Sequence, residues 1–147
     1  TVVPIFFDDF LGTGDQFLQF ISAQRMVRRL KTYPSIYTPL AAHADAVERL
    51  EQTFPLLHVR PVETLENAHG IFHPDCTCFQ DGENTVQSAK AFYYSFLLKK
   101  GLKIYGADRR GYGHLELAYA FEHAIPDNCL PILWWPATPS WQPLFLR

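Results

Sequence analysis

The stretch Val2–Gln16 constrains the fold more than any other part of the chain. An apolar run leads into two adjacent carboxylates, Asp8 and Asp9, and a glycine turn over 12–14 then precedes an amphipathic segment. This order predicts a buried strand, a tight turn and a helix. Open α/β sheets bind ligands where the carboxyl end of such a strand meets the amino end of the next helix. The segment therefore predicts an α/β fold with a ligand site at 8–16.

The residue types in this segment suit a sugar phosphate. Carboxylates accept hydrogen bonds from neighbouring ribose hydroxyls, and their oxygens also suit a hydrated Mg²⁺. Glycines permit positive φ and let backbone amides converge on a phosphate, to which a threonine hydroxyl adds a donor. The candidate ribose-phosphate-binding residues are Asp8, Asp9, Gly12, Thr13, Gly14, Asp15 and Gln16, and the candidate catalytic residues are Asp8 and Asp9.

Two resemblances to a known family cover the ends of the chain. The apolar run, Asp-Asp, two apolar residues and Gly-Thr-Gly over 2–14 resemble the phosphoribosyl-pyrophosphate motif of type I phosphoribosyltransferases. The resemblance implies that the acids take the ribose hydroxyls and the glycine loop takes the 5′-phosphate. Residues 111–114, 121–122, 126–134 and 141–145 are similar to the C-terminal signature of phosphoribosyltransferase-like proteins associated with bacterial conflict and antiphage systems.

The family resemblance implies a function and leaves alternatives open. It implies binding of a 5-phosphoribosyl group, from phosphoribosyl pyrophosphate or a nucleotide, with Mg²⁺, and transfer to a nitrogen nucleophile in antiphage defence. The alternative is a non-enzymatic module that senses a nucleotide or binds a protein partner. Family members place a hood and two functional loops before the strand, whereas this strand begins at residue 2. We therefore expect either the C-terminal part of a longer protein, with a missing N-terminal segment or a protein partner, or a family ligand site that survives without the machinery for pyrophosphate departure.

A second alternative comes from the polar turn at 108–113. Together with Glu116, this turn resembles the Asp-to-Glu segment of nucleoside deoxyribosyltransferases, which implies that Glu116 attacks an anomeric carbon. Arg109 and Arg110 lie next to glycine in the same turn. Arginine there suits bidentate contact with a phosphate or an acceptor.

Periodicity predicts alternating strands and helices in the first half of the chain, hence a doubly wound, mostly parallel sheet with flanking helices. The predicted helices are 15–31, 44–54, 85–100 and 114–124, and the predicted strands are 2–7, 35–42, 56–62 and 102–105. The stretch 66–84 has no period and is expected to be a long loop.

That loop carries further candidates. His69, His73 and Asp75 are possible contacts for a base or another nucleophile. The Cys76-Thr77-Cys78 spacing is tighter than structural zinc sites use, so we expect small apolar fillers there.

Composition bounds the remaining questions. The 147 residues, 48% of them hydrophobic, predict one domain spanning 1–147. A formal charge of −2 provides no general footprint for nucleic acid, so we expect no direct nucleic-acid contact. Three cysteines, an odd number, and the lack of a long apolar stretch predict a reducing cytoplasm with no membrane association.

Overall fold

The computed structural model describes residues 2–79 and 81–146. The chain comprises two compact units, an N-terminal unit, Thr1–Glu66, and a C-terminal unit, Asn67–Arg147. The single domain over 1–147 stays a prediction.

The N-terminal unit is a parallel sheet with helices between its strands. Its elements are β1 (Ile5–Leu11), α1 (Asp15–Ala23), α2 (Val27–Thr32), β2 (Ser35–His43), α3 (Ala44–Thr53), β3 (Leu57–Val59) and β4 (Glu63–Leu65). Within the described residues β2 pairs in parallel with β1 along one edge and with β3 and β4 in succession along the other. The predicted α/β class, with a parallel sheet and flanking helices, is confirmed.

The core of this unit forms where helical stripes meet the sheet. Phe17 and Ile21 of α1, Leu30 of α2 and Leu50 of α3 are buried in one cluster with Tyr37 of β2. Positions three and four apart lie on the same side of a helix, which explains why the apolar spacing selects these residues. Each such side chain contributes about 1.5–3 kcal/mol through burial. The packing fixes α1 and α3 beside the carboxyl end of β1.

The single helix predicted at 15–31 is wrong, because the structure has two helices there. It breaks between α1 and α2, because Arg25 has a φ of 55°. A left-handed residue ends a right-handed helix. The amide of Met26 then donates to the carbonyl of Ile21 at 2.9 Å, which closes α1.

The predicted strand 56–62 is shorter than expected. It becomes β3, Leu57–Val59, and a further strand, β4, begins at Glu63. Pro61 separates the two strands. The amides on either side of Pro61 still donate to β2, from Arg60 to the Tyr37 carbonyl at 2.7 Å and from Val62 to the Pro39 carbonyl at 3.1 Å. The missing donor is Pro39 of β2, which has no amide hydrogen, and the Arg60 carbonyl accepts from the Thr38 hydroxyl at 2.8 Å instead.

The C-terminal unit has one long helix, α4 (Val86–Lys99), within its described residues, and this confirms the helix predicted at 85–100. Thr85 and Ser88 form a reciprocal capping box at its start, and Gly101 follows its end at a φ of 65°. The core around α4 is formed by Phe72, Tyr93, Leu97, Leu102, Ile104 and Leu130. The stretch before α4 is irregular apart from a 3-10 turn at Asn67–His69, as expected for a loop.

Two predicted elements of this unit are wrong. Residues 102–105 form no strand, although Leu102 and Ile104 are buried. The predicted helix 114–124 is absent, because His114 and Glu116 have φ values of 60° and 54°. Instead, Leu117 makes an isolated parallel bridge to Cys129.

In the part of the chain that the structure describes, no helix has the length and apolarity needed to cross a membrane.

Candidate functional site

The two acids lie inside β1 rather than at its end. β1 continues through Phe10 and Leu11, which stay in parallel register with β2. The predicted end of the strand at residue 7 is therefore wrong, because the apolar pair after the acids extends the ladder. Asp8 faces Pro39 in the register, and Asp9 follows it directly. The acids and the glycine turn remain within a few residues of each other along the chain.

Asp8 is held by two hydrogen bonds. The hydroxyl of Tyr37 donates to its Oδ2 at 2.7 Å, and the amide of Asp9 donates to its Oδ1 at 2.9 Å. Desolvation by the surrounding side chains raises the pKa of Asp8, the Tyr37 hydroxyl lowers it, and Asp9 raises it through both a side-chain hydrogen bond and its charge. Burial, followed by the bond to Asp8, raises the pKa of Tyr37 well above its usual value, so Tyr37 stays a donor.

A cleft of about 480 Å³ opens beside Asp8. Its walls are aromatic: the Phe17 ring stacks on Tyr37 with centroids 4.2 Å apart, and Phe6 meets Phe17 edge-on at 5.6 Å. The lining residues are Ile5, Phe6, Phe7, Asp8, Gln16, Phe17, Phe20 and Tyr37. Asp8 and Gln16 thus provide hydrogen-bonding groups at the edge of an otherwise mainly apolar surface.

The glycine turn leads into α1 through Gly14, which has a φ of 87°. A side chain at this φ is strained, and glycine also has no group with which to cap the helix. Gly12, also among the described residues, does not have positive φ, so the conformational freedom predicted for both glycines is used by one of them. Gly14 therefore gives α1 no side-chain cap, although the Thr13 hydroxyl just before it accepts from the amide of Asp15 at 3.4 Å.

Arg49 of α3 forms hydrogen bonds with the glycine turn and with the first residue of α1. Its Nη1 donates to the Thr13 carbonyl and to Asp15 Oδ1, each at 2.8 Å. The Thr13 hydroxyl donates to Asp15 Oδ2 at 3.0 Å. The hydroxyl that the sequence offers to a phosphate is therefore engaged with Asp15, and Arg49 offsets the charge of that carboxylate.

The donor set of Asp8 and Asp9 fits a magnesium ion that shares its shell with a ligand. Mg²⁺ takes oxygen ligands and is often held by one or two carboxylates plus ligand oxygens and water. The two hydrogen bonds to Asp8 leave further lone pairs on its oxygens. Among residues 2–79 and 81–146, no group of three or more His, Cys, Asp or Glu side chains forms a metal cage.

The other candidates lie in the C-terminal unit. Arg109 donates from Nε to the carbonyl of Ile104 at 2.7 Å, whereas Arg110 donates from Nε to the carboxylate of Glu116. Glu116 is buried at 4% exposure, and Lys90 Nζ lies 3.9 Å from its Oε1. The structure thus brings Arg110 and Glu116 together, but without the helix that the nucleophile interpretation expected for Glu116.

Two of the loop candidates, His73 and Asp75, contact each other. The amide of Asp75 donates to His73 Nδ1 at 3.2 Å, and the Asp75 carboxylate lies 3.8 Å from the same nitrogen. His69 ends the 3-10 turn that begins at Asn67. Cys76 is buried and Cys78 exposed. A role for His69, His73 or Asp75 in contacting an acceptor stays a prediction.

Sequence reasoning missed two residues of the N-terminal site. Tyr37 stands in a strand of apolar and small residues, where a single tyrosine hydroxyl signals a buried hydrogen bond. Arg49 gives no comparable signal, because a charged residue on an amphipathic helix is ordinary. Only the tertiary fold brings Arg49 into contact with the glycine turn.

One comparison with known proteins identifies a relationship. A family model described as PRTase-CE, a phosphoribosyltransferase-like domain, matches residues 2–147. No curated protein and no solved structure matches the chain.

Proposed function

The chain belongs to the PRTase-CE family of phosphoribosyltransferase-like domains, and from this premise we propose that residues 8–16 bind a 5-phosphoribosyl group. The observation that carries the proposal is the continuity of three features in one short segment. These are the acid pair in β1, the left-handed Gly14, and a start of α1 whose N-cap residue, Gly14, has no side chain to occupy the helix amides. Sugar hydroxyls need acceptors and a phosphate needs converging amides, and the segment offers both.

Each part of the segment has a proposed role. Asp8 and Asp9 accept hydrogen bonds from the ribose hydroxyls, with Asp8 oriented by Tyr37. Gly12, Thr13, Gly14, Asp15 and Gln16 surround the 5′-phosphate with amides. Asp15 is an unusual neighbour for a phosphate, but its charge is offset by the Arg49 guanidinium 2.8 Å away. When Mg²⁺ is bound, Asp8 and Asp9 would hold it beside the ribose and it would supply positive charge there.

We also propose that the bound group is transferred. A nitrogen nucleophile would form a bond to the anomeric carbon while the bond from that carbon to the oxygen of the pyrophosphate breaks, through an oxocarbenium-like state. The acid pair would position the ribose and stabilise positive charge that develops on it. Asp8 and Asp9 are therefore the proposed catalytic residues.

The alternative is a module that binds the same ligand without turnover and serves a protein partner. For the enzyme and for the module alike, we propose a role in antiphage defence. The C-terminal signature alone supports this role. Three free cysteines support a reducing, cytoplasmic location. The Glu116 nucleophile is not favoured, because its carboxylate is buried and ion-paired.

Calorimetric titration tests the proposed site. Phosphoribosyl pyrophosphate, ribose 5-phosphate and AMP are titrated with and without Mg²⁺ into the wild type and into the Asp8→Asn, Asp9→Asn double variant. Glu48→Gln removes one exposed carboxylate from α3 of the same unit and serves as the charge control. We expect binding that the double variant loses and the control keeps. Equal binding by all three proteins would refute the site.

A second assay separates enzyme from module. Wild type that binds phosphoribosyl pyrophosphate is incubated with candidate nitrogen acceptors, and pyrophosphate release is measured. Release that depends on both the acceptor and the acid pair supports transfer. Binding without release, across a panel of nucleobases and amines, supports the module.

A further inference from the structure

A second charged cluster lies in the C-terminal unit and takes no part in the proposed ribose-phosphate site. At its centre is Glu116, whose Oε1 accepts a hydrogen bond from Arg110 Nε and lies 3.9 Å from Lys90 Nζ. A buried carboxylate is costly unless it is paired, and one cation is enough to balance its charge. Two cations share this carboxylate, so the cluster carries one positive charge in excess.

The three side chains differ in their access to solvent. The Glu116 side chain is 5% exposed, whereas those of Arg110 and Lys90 are 38% and 37% exposed. The negative member is therefore sealed inside the protein and the two positive members open to the outside. An anion that approaches from solvent meets the cations first.

The pairing also orients Arg110. Its guanidinium donates to Glu116 through Nε, and it donates to no other acceptor among the described residues. The planar guanidinium keeps its remaining N–H donors in a fixed fork. Lys90 is held nearby over the ring of Phe72, with its Nζ 5.9 Å from the centroid.

Hydrogen bonds fix the backbone of the loop that carries Arg110. The hydroxyl of Tyr93 donates to the Arg109 carbonyl at 2.6 Å, and the amide of Glu116 donates to the Arg110 carbonyl at 3.0 Å. Glu116 itself is held at a φ of 54°. Backbone in this region is strained for a residue with a side chain and persists only where the surroundings enforce it. Arg110 is thus presented by a rigid loop.

We propose that Arg110 and Lys90 bind the phosphate group of a small molecule, with Glu116 as a positioning residue that orients Arg110. Two adjacent cations suit a dianion better than a carboxylate, and a guanidinium fork matches two phosphate oxygens at once. Arg109 is not assigned to this site, because its Nε donates to the Ile104 carbonyl and its Cζ lies over the Tyr94 ring, 6.0 Å from the centroid, and not beside Glu116. The proposal does not depend on the site at Asp8 and Asp9.

The test is calorimetric titration with inorganic phosphate, pyrophosphate and acetate. It uses the wild type, Lys90→Gln and Arg110→Gln, with Lys99→Gln as a matched control because Lys99 is an exposed lysine on the same helix. We expect phosphate and pyrophosphate to bind more tightly than acetate. Loss of one charge-assisted contact should weaken phosphate binding by about tenfold in Arg110→Gln and about fivefold in Lys90→Gln, and Lys99→Gln should leave it unchanged. Comparison of phosphate with pyrophosphate distinguishes a single phosphate group from a diphosphate.

Glu116→Ala tests the positioning role by the sign of its effect. Removal of a carboxylate makes the cluster more positive, so simple attraction predicts tighter phosphate binding, whereas loss of the oriented fork predicts weaker binding. Tighter binding would overturn the role assigned to Glu116. If Arg110→Gln fails to fold, Lys90→Gln against Lys99→Gln decides the site, since Lys90→Gln leaves the Arg110–Glu116 pair intact.

The whole proposal fails if wild type binds neither phosphate nor pyrophosphate at concentrations up to about 10 mM, or if Lys90→Gln and Lys99→Gln have equal effects. The Asp8→Asn, Asp9→Asn variant keeps its phosphate affinity if the two sites are separate. Loss of one of two ribose 5-phosphate binding events in that variant, with inorganic phosphate binding retained, would support both proposals. The two can therefore fail independently.

Discussion

Replacement of Tyr37 by phenylalanine removes a single hydroxyl, the one that donates to Asp8 Oδ2 at 2.7 Å. Hydrogen bonds to charged groups contribute about 1.5–3 kcal/mol to stability, and the exposed side of Asp8 reduces that toward about 1 kcal/mol through solvent screening. The phenyl ring keeps the stack on Phe17 and leaves no buried polar atom behind. We therefore expect Tyr37→Phe to lower the free energy of unfolding at neutral pH by about 1 kcal/mol.

The pH dependence of this loss has a defined sign. The folded-state pKa of Asp8 is raised, so its protonated form stabilises the fold at low pH and that contribution is lost as pH rises through the folded pKa. The Tyr37 hydroxyl is a contact that lowers this pKa, and its removal raises the pKa further. The cost of Tyr37→Phe should accordingly be largest at neutral pH and shrink at about pH 3, which lies below the ordinary aspartate pKa and therefore also below the raised pKa of Asp8.

Urea denaturation at both pH values measures the effect. The matched control is Tyr105→Phe, because Tyr105 is 65% exposed and the substitution removes the same hydroxyl. A double-mutant cycle with Asp8→Asn isolates the pairwise energy. The reasoning would be refuted if Tyr37→Phe cost the same at both pH values and also in the Asp8→Asn background.

Three further expectations concern single residues. Gly111→Ala should lower the free energy of unfolding by more than about 3 kcal/mol, because the added methyl group would overlap a backbone carbonyl. Gly82→Ala, at a similar φ of 79° but in open space, should lower it by about 1 kcal/mol. Equal losses for the two variants in urea denaturation would contradict this. In the native protein an aromatic disulfide reagent should modify Cys78 before Cys129, because Cys78 is exposed and Cys129 is buried. The pKa of both thiols is raised, that of Cys78 by its hydrogen bond with Cys76 and that of Cys129 by burial to about 11, so exposure decides the order. Modification of Cys129 as fast as that of Cys78 in native protein would contradict this. Thr85→Ala should destabilise the protein by about 1 kcal/mol, and Thr85→Ser should destabilise it less because serine keeps the cap. Thermal or urea unfolding measures both variants, and an equal loss for the two would argue against the capping box.

The first half of the fold could be predicted because its signals are local. Apolar spacing identified α3, and the predicted strand 35–42 corresponds to β2, Ser35–His43. Apolar spacing, closed by Gly101, likewise located α4. The errors came where a backbone angle or a missing donor overrides periodicity. Arg25 adopts a left-handed conformation in the middle of a helical pattern, and Pro39 of β2 has no amide to donate to the strand predicted at 56–62.

The candidate sites show the same division. The residue types at 8–16 carry their chemistry in sequence order, so the segment could be selected without a structure. The contacts of Tyr37 with Asp8 and of Arg49 with the glycine turn join residues about thirty positions apart. Glu116 was expected on a helix surface, but its left-handed backbone and its burial depend on tertiary packing that periodicity does not encode.

The central place of β2 has a consequence for how the N-terminal unit folds. In the described residues every strand pairing of the sheet includes β2, and each is parallel. Parallel pairing requires the intervening crossover to close first, so no part of the sheet can form before β2 is in place. The amide protons of β2 should therefore exchange with deuterium more slowly than those of β3 and β4, and substitutions that weaken β2 should slow folding rather than only speed unfolding. A strand that contributes Tyr37 to the proposed site, but neither of the acids nor the glycine turn, would then set the rate at which the binding segment becomes ordered.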